Sequence, residues 1–162
     1  MWERHPPLNG SEFPNGVVAT PSVANGVVYD GGLDAYTTAG RLLWVTTRRG
    51  GGSDTTPTVG AGLVFNEAGA GDQNGGECAY RVNGGHQVWC VNSASVYDSS
   101  TLTNGVLFVN FGGFPFFTAY NARSGTRLFF DTNRRHVTTG QPVIADGTVY
   151  TGGDFGLFAY RS

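Results

Sequence analysis

An all-β fold, a β-propeller of four four-stranded blades, is predicted by three features of the 162-residue sequence. A pattern recurs four times, tight-turn dipeptides separate its apolar runs, and no window sustains a helical period. The recurring segments are Thr20 to Tyr29, Thr56 to Phe65, Ser100 to Phe108 and Gln141 to Tyr150, and their glycines Gly26, Gly62, Gly105 and Gly147 are spaced by 36, 43 and 42 residues. Four strands repeated at about 40 residues are what a propeller blade requires.

Within each unit the strands follow in a fixed order. Asn25-Gly26, Asn104-Gly105 and Asp146-Gly147 lie between apolar runs. A type I′ turn needs positive φ at both central residues, so these dipeptides make strands a and b a hairpin. A Gly-rich loop leads to strand c, which ends in Ala35-Tyr36, Ala79-Tyr80, Ala119-Tyr120 or Ala159-Tyr160. A second turn, carrying Gly40, Gly85 or Gly125, leads to strand d with its large aromatic Trp44, Trp89 or Phe129. The chain reads as one domain over residues 1–162, with repeats at about 14–52, 53–95, 96–136 and 137–162 plus 1–10.

The fourth repeat reaches Tyr160-Arg161-Ser162 without a strand d, whereas Met1-Trp2-Glu3-Arg4-His5 matches that strand with Trp2 in the Trp44 position. The expectation is that the N-terminal strand completes the last blade and closes the ring by pairing, which removes an exposed edge. The alternative is half of an eight-bladed ring formed by two chains.

The pattern Pro-x-Val-x-x-Gly-Val-Val-Tyr, then Ala-Tyr, then Gly-x-x-Leu-Trp resembles the PQQ-like, or quinoprotein-type, β-propeller repeat, and the resemblance covers nearly the whole chain. It implies that Trp2, Trp44, Trp89 and Phe129 dock between adjacent blades. A large aromatic recurring once per unit carries the same expectation independently, since such a ring buries roughly 150 to 250 Å². The quinone dehydrogenases of this family use a larger ring, a vicinal disulfide, a tryptophan platform and a calcium- or lanthanide-binding Asp/Glu/Asn set. This chain has four repeats and no Cys-Cys pair.

Composition bounds the function. Lysine is absent, ten arginines face twelve acidic residues, and the formal net charge is −2. That balance gives no electrostatic footprint for nucleic acid or an anionic membrane. No stretch approaches the ~18 apolar residues of a membrane span.

Blade topology places the short a–b and c–d turns on one rim and the long b–c and d–a loops on the other, where binding residues usually lie. Candidate ligand-binding residues on the loop rim are Arg48, Arg49, Asp72, Glu77, Phe114, Phe116, Arg134, Arg135 and His136. The arginine pairs suit a carboxylate or phosphate, or else bridge to local aspartates. Glu67, Asp72, Gln73, Asn74 and Glu77 are oxygen donors of the kind calcium accepts, although their spacing matches no calcium loop. His5 and His136 share the loop rim without a third ligand near in sequence, and His86 sits in the opposite c–d turn. Phe111, Phe114, Phe116 and Phe117 are expected to plug the central channel rather than form a sticky surface. No nucleophile elbow, zinc motif or phosphate loop occurs, so no catalytic residue is assigned.

Cys78 and Cys90 flank the turn at Asn83-Gly84-Gly85-His86, and residues facing each other in that hairpin sum to about 168, as 78 and 90 do. The alternatives are a cross-strand disulfide, which favours an extracellular or periplasmic home, and two buried free thiols. The leading expectation is a non-enzymatic scaffold or binding module for a ligand, a protein partner or self-assembly. Its rival is a fragment of a quinoprotein-like alcohol dehydrogenase using PQQ and calcium.

Overall fold

The computed structural model describes residues 1–3, 19–46, 55–67, 76–92, 96, 98–113, 116–133 and 140–161. Blade one is β1 (Ser22–Ala24), β2 (Val27–Tyr29), β3 (Asp34–Thr37) and β4 (Leu42–Val45). Blade two is β5 (Thr58–Gly60), β6 (Leu63–Glu67), β7 (Gly76–Arg81) and β8 (Gln87–Asn92). Blade three is β9 (Thr101–Thr103), β10 (Val106–Asn110), β11 (Phe117–Asn121) and β12 (Arg127–Asp131). Blade four is β13 (Val143–Ala145), β14 (Thr148–Gly153) and β15 (Gly156–Arg161). Strands run in chain order across each sheet and pair antiparallel. The described residues therefore form the all-β, four-unit propeller architecture that the repeat predicts.

Turn chemistry sets the registers. Asn25 and Gly26 have φ of 50° and 77°, and Asn104-Gly105 and Asp146-Gly147 repeat that geometry. Ala61-Gly62 adopts it too, with Ala61 at φ 54° although its side chain gains nothing from the left-handed region. The Ala-Tyr marker coincides with a β-bulge in three blades: the register shifts between Ala35 and Tyr36, between Ala79 and Tyr80, and between Ala119 and Tyr120. One extra residue on strand d aims the aromatic at the neighbouring blade.

The core lies between blades. Tyr29, Leu33 and Ala35 of blade one pack on Val64, Cys78 and Tyr80 of blade two, with Trp44 against the cluster. Leu63, Phe65 and Ala79 of blade two pack on Leu107, Val109, Phe111 and Tyr120 of blade three, with Trp89 against that cluster. Hydroxyls at the start of the first three inner strands add polar ties. Ser22 donates to the Pro57 carbonyl, Thr58 to Ser100 at 2.6 Å and Thr101 to Pro142 at 2.6 Å.

One expectation changes in detail, and two aromatics are placed by burial. Phe111 and Phe117 are fully buried, Phe111 in the core between blades two and three. Phe117 is the first residue of β11, where strand alternation turns it onto Phe129 and Tyr160 at ring separations of 6.3 and 4.7 Å. The fourth sheet contains three strands among the described residues, and Met1–Glu3 is not part of a strand there.

Candidate functional site

Three tryptophans are seated on the c–d turn of a blade, Trp44 and Trp89 from the strand d of the preceding one. The Trp44 ring lies against Gly85, where an added Cβ would stand 2.6 Å from it, and its Nε1 donates to the Val82 carbonyl at 2.9 Å. Trp89 repeats the seat on Gly125 and the Ala122 carbonyl, and Trp2 repeats it on Gly40 and the Thr38 carbonyl. A positive φ of 66° to 81° at these glycines lets the turn close, and the missing Cβ admits the ring. Phe129 takes the same place on Tyr160 at 5.7 Å, without an indole donor. Trp44, Trp89 and Phe129 thus each contact the following blade, and Trp2 contacts blade one.

On the turn rim, a cleft of about 550 Å³ opens between blades one and two, lined by Tyr29, Leu43, Trp44, Val59, Val82 and neighbouring turn residues. Its walls are mostly apolar with backbone at the mouth. Sequence reasoning placed its binding residues on the opposite rim and missed it, because a cleft between two short turns leaves no composition signal.

The loop-side ends of the strands carry buried polar groups. Asn66 donates to the Gly31 carbonyl and accepts from the Thr55 hydroxyl. Glu67 and Glu77 are cross-strand partners, and both are buried. Glu67 accepts from the Val96 amide at 3.2 Å, and Glu77 accepts from the Ser100 hydroxyl at 2.9 Å. Asn110 donates to the Gly140 carbonyl and to Thr151. Each of these groups reaches from one blade to the next, so the row holds the junctions together. A buried polar group without such a partner would cost about 1 to 3 kcal/mol.

Blade one holds a second acidic pair. The Asp34 amide donates to the Asp30 carboxylate at 2.8 Å, and the Tyr36 hydroxyl donates to the Asp34 carboxylate at 3.3 Å. Burial, reinforced by the Asp30 charge, pushes the Asp34 carboxyl up to about 6, and burial raises Asp30 as well. Burial likewise raises Tyr160, whose hydroxyl donates to Asp131 at 2.7 Å.

The residues expected to bind on the loop rim are placed unevenly. Glu77 is buried at the blade two–three junction, and Phe116 is half-buried with its carbonyl accepting from the Phe111 amide at 2.8 Å. Arg48, Arg49, Asp72, Phe114, Arg134, Arg135, His136 and His5 lie outside the described residues. His86 is exposed in the turn of blade two. Among the described residues no three His, Cys, Asp or Glu side chains stand together as a metal site, and no helix is long and apolar enough to cross a membrane. Cys78 and Cys90 form a disulfide at a Cα separation of 4.1 Å, across the paired strands β7 and β8.

Comparison with solved structures returns propeller folds. BamB from Moraxella catarrhalis superposes with a TM-score of 0.71 at 15% identity over 88% of this chain and 46% of its own. A computationally designed protein gives 0.72 at 12% identity over 89% and 45%. A quinohemoprotein alcohol dehydrogenase from Comamonas testosteroni gives 0.63 at 14% identity over 87% and 34%. The chain thus spans less than half the length of these structures, and at such identities the likeness establishes the fold alone. No protein-family model and no curated protein sequence matches the chain.

Proposed function

We propose that this chain is a non-enzymatic propeller scaffold whose role is to present surface to a protein partner or to further propeller blades. One observation carries the reading: the buried polar side chains at the loop-side strand ends are engaged in joining blades. Asn66 and Asn110 each span a junction, and Glu67 and Glu77 both accept hydrogen bonds from the segment that enters blade three. Groups used in this way fix blade geometry and make a rigid platform. Solved structures of similar fold include BamB as well as dehydrogenases, and function follows from the site rather than the fold.

The disulfide supports a compartment that is oxidising, extracellular or periplasmic. The net charge of −2 supports a partner that is neither nucleic acid nor an anionic membrane surface.

A quinoprotein-like dehydrogenase acting on alcohols is the second reading, favoured by fold similarity to a quinohemoprotein alcohol dehydrogenase and a europium-containing methanol dehydrogenase. The described carboxylates fit its calcium poorly, because Glu67 and Glu77 are held by the amide and hydroxyl of a neighbouring blade. Titration with PQQ and calcium decides between the two. The scaffold shows no new chromophore and no dye-linked alcohol oxidation, whereas either signal overturns the scaffold reading.

A further inference from the structure

Three blade junctions inside the chain bury the same positions, and the fourth blade leaves them open. Register makes the equivalence explicit: Ala35, Ala79, Ala119 and Ala159 pair with Tyr29, Phe65, Phe108 and Tyr150. Two residues before these alanines stand Leu33, Glu77, Phe117 and Leu157. The first three are at most 1% exposed, whereas Leu157 is 73% exposed. The inner-strand hydroxyls Ser22, Thr58 and Thr101 each tie their blade to the next, but the equivalent Val143 has no donor and is 63% exposed. Nothing among the described residues covers that face of blade four.

The opposite end of the arc shows the complementary half. Val59 and Leu102 pack against the preceding blade and Ile144 is half-buried, whereas their counterpart Val23 is 63% exposed. Blade one already carries the aromatic that a preceding strand d would bring, since Trp2 lies on Gly40 and donates to Thr38 as Trp89 does on Gly125 and Ala122. One end therefore offers a blade face without a cover, and the other offers the surface that covers such a face elsewhere in the same molecule.

We propose that a second copy of this chain closes the structure: blade four of each copy packs on blade one of the other, making one ring of eight blades. The junction is heterologous, and its two-fold repetition closes rather than propagates. Leu157, Val143 and Ala159 of one copy meet Val23 and Val28 of the other, and the Trp2 segment lies beside Ala159 of the other copy as Trp44 lies beside Ala35. A partial arc leaves two apolar blade faces in water, which stacked repeats avoid by adding a neighbour. The similar structures accommodate such closure, since the arc occupies 46% of BamB and 45% of the designed protein. The inference deepens the scaffold reading by naming the partner, and it stands or falls separately: a two-chain ring that oxidised alcohols would overturn the scaffold and leave the ring intact.

Cysteine pairing tests it. Gly60 of blade two backs directly onto the Leu102 side chain of blade three, and the equivalent positions on the open faces are Ala145 and Val23, both exposed. In the full chain carrying Ala145→Cys and Val23→Cys, oxidation is expected to yield a covalent species of two chains and nothing larger on a non-reducing gel. The charge variant Leu157→Glu in that background, with unchanged circular dichroism, is expected to cut the yield at least tenfold. A single-chain product with both new thiols consumed would show closure within one copy, and a ladder would show an open filament; either result, or thiols that stay free, overturns the proposal.

Discussion

Trp89 lies across Gly125 so closely that a Cβ on the glycine would come within 2.7 Å of the indole, and the ring reaches past it to the Ala122 carbonyl at 2.9 Å. The aromatic of one blade and the turn of the next are thus a single fitted unit. The period of the sequence is the period of that fit.

Gly125→Ala breaks the seat in two ways. It forces an L residue to φ 69° and drives its methyl into a ring that the surrounding core holds. We expect a loss of about 2 to 4 kcal/mol in urea unfolding. Gly147→Ala has a similar φ of 71° but meets nothing within 4 Å, so its loss is expected near 1 kcal/mol. Equal losses at the two positions would contradict the seating.

Truncating the aromatics separates the blades in the same currency. Trp89→Ala removes a half-buried ring and a hydrogen bond, an expected cost of about 3 to 5 kcal/mol. Phe129→Ala removes a ring that is 44% exposed and has no donor, and its cost is expected at about 1 to 2 kcal/mol. Chemical denaturation of the two variants checks the order.

Ala61 is a turn residue in a conformation that suits asparagine. Its φ of 54° matches that of Asn25 in the equivalent turn of blade one. Ala61→Asn is expected to stabilise the chain by about 0.5 to 1 kcal/mol, seen as a higher urea midpoint at unchanged slope. A lower midpoint would mean that the alanine makes a contact the turn geometry does not explain.

The Asp34 carboxyl predicts a pH dependence of definite sign. Its folded value of about 6 lies above the ordinary 3.8, so the native chain binds this proton more tightly than the unfolded one. The stability this proton contributes is therefore fully present below pH 4, is lost as pH rises through 6 and is absent above. Asp34→Asn keeps an acceptor for the Tyr36 hydroxyl and removes the titration. Relative to the parent, the variant is expected to gain about 1 kcal/mol between pH 4 and pH 7, measured by melts at both values. A gain that does not change with pH would rule out Asp34 as the titrating group.

Much of this fold is legible because its signals are local and repeated. Asn25-Gly26 and Asp146-Gly147 specify their turns, and the Trp44 to Trp89 interval marks a blade. The Cys78–Cys90 pairing, one of two alternatives open in the sequence, follows from hairpin arithmetic that the register bears out. Other features depend on what stands across a junction. Leu33 adopts φ 62° in the short b–c turn and is held there by burial against blade two, which no propensity announces. Phe111 and Phe117 read as loop aromatics until strand alternation directs them between sheets. Asn66 and Asn110 look like ordinary polar residues at strand ends, and only the neighbouring blade shows that they bind it. The exposure of Leu157 is likewise invisible in a repeat whose equivalent positions are buried.

The solution mass of the unmodified chain bears most directly on how these four blades are completed. Sedimentation equilibrium at micromolar concentration should return twice the chain mass of 17.1 kDa, with no larger species as concentration rises. A mass of 17.1 kDa at every concentration would contradict the two-copy ring and leave the open faces of blades one and four without their proposed cover.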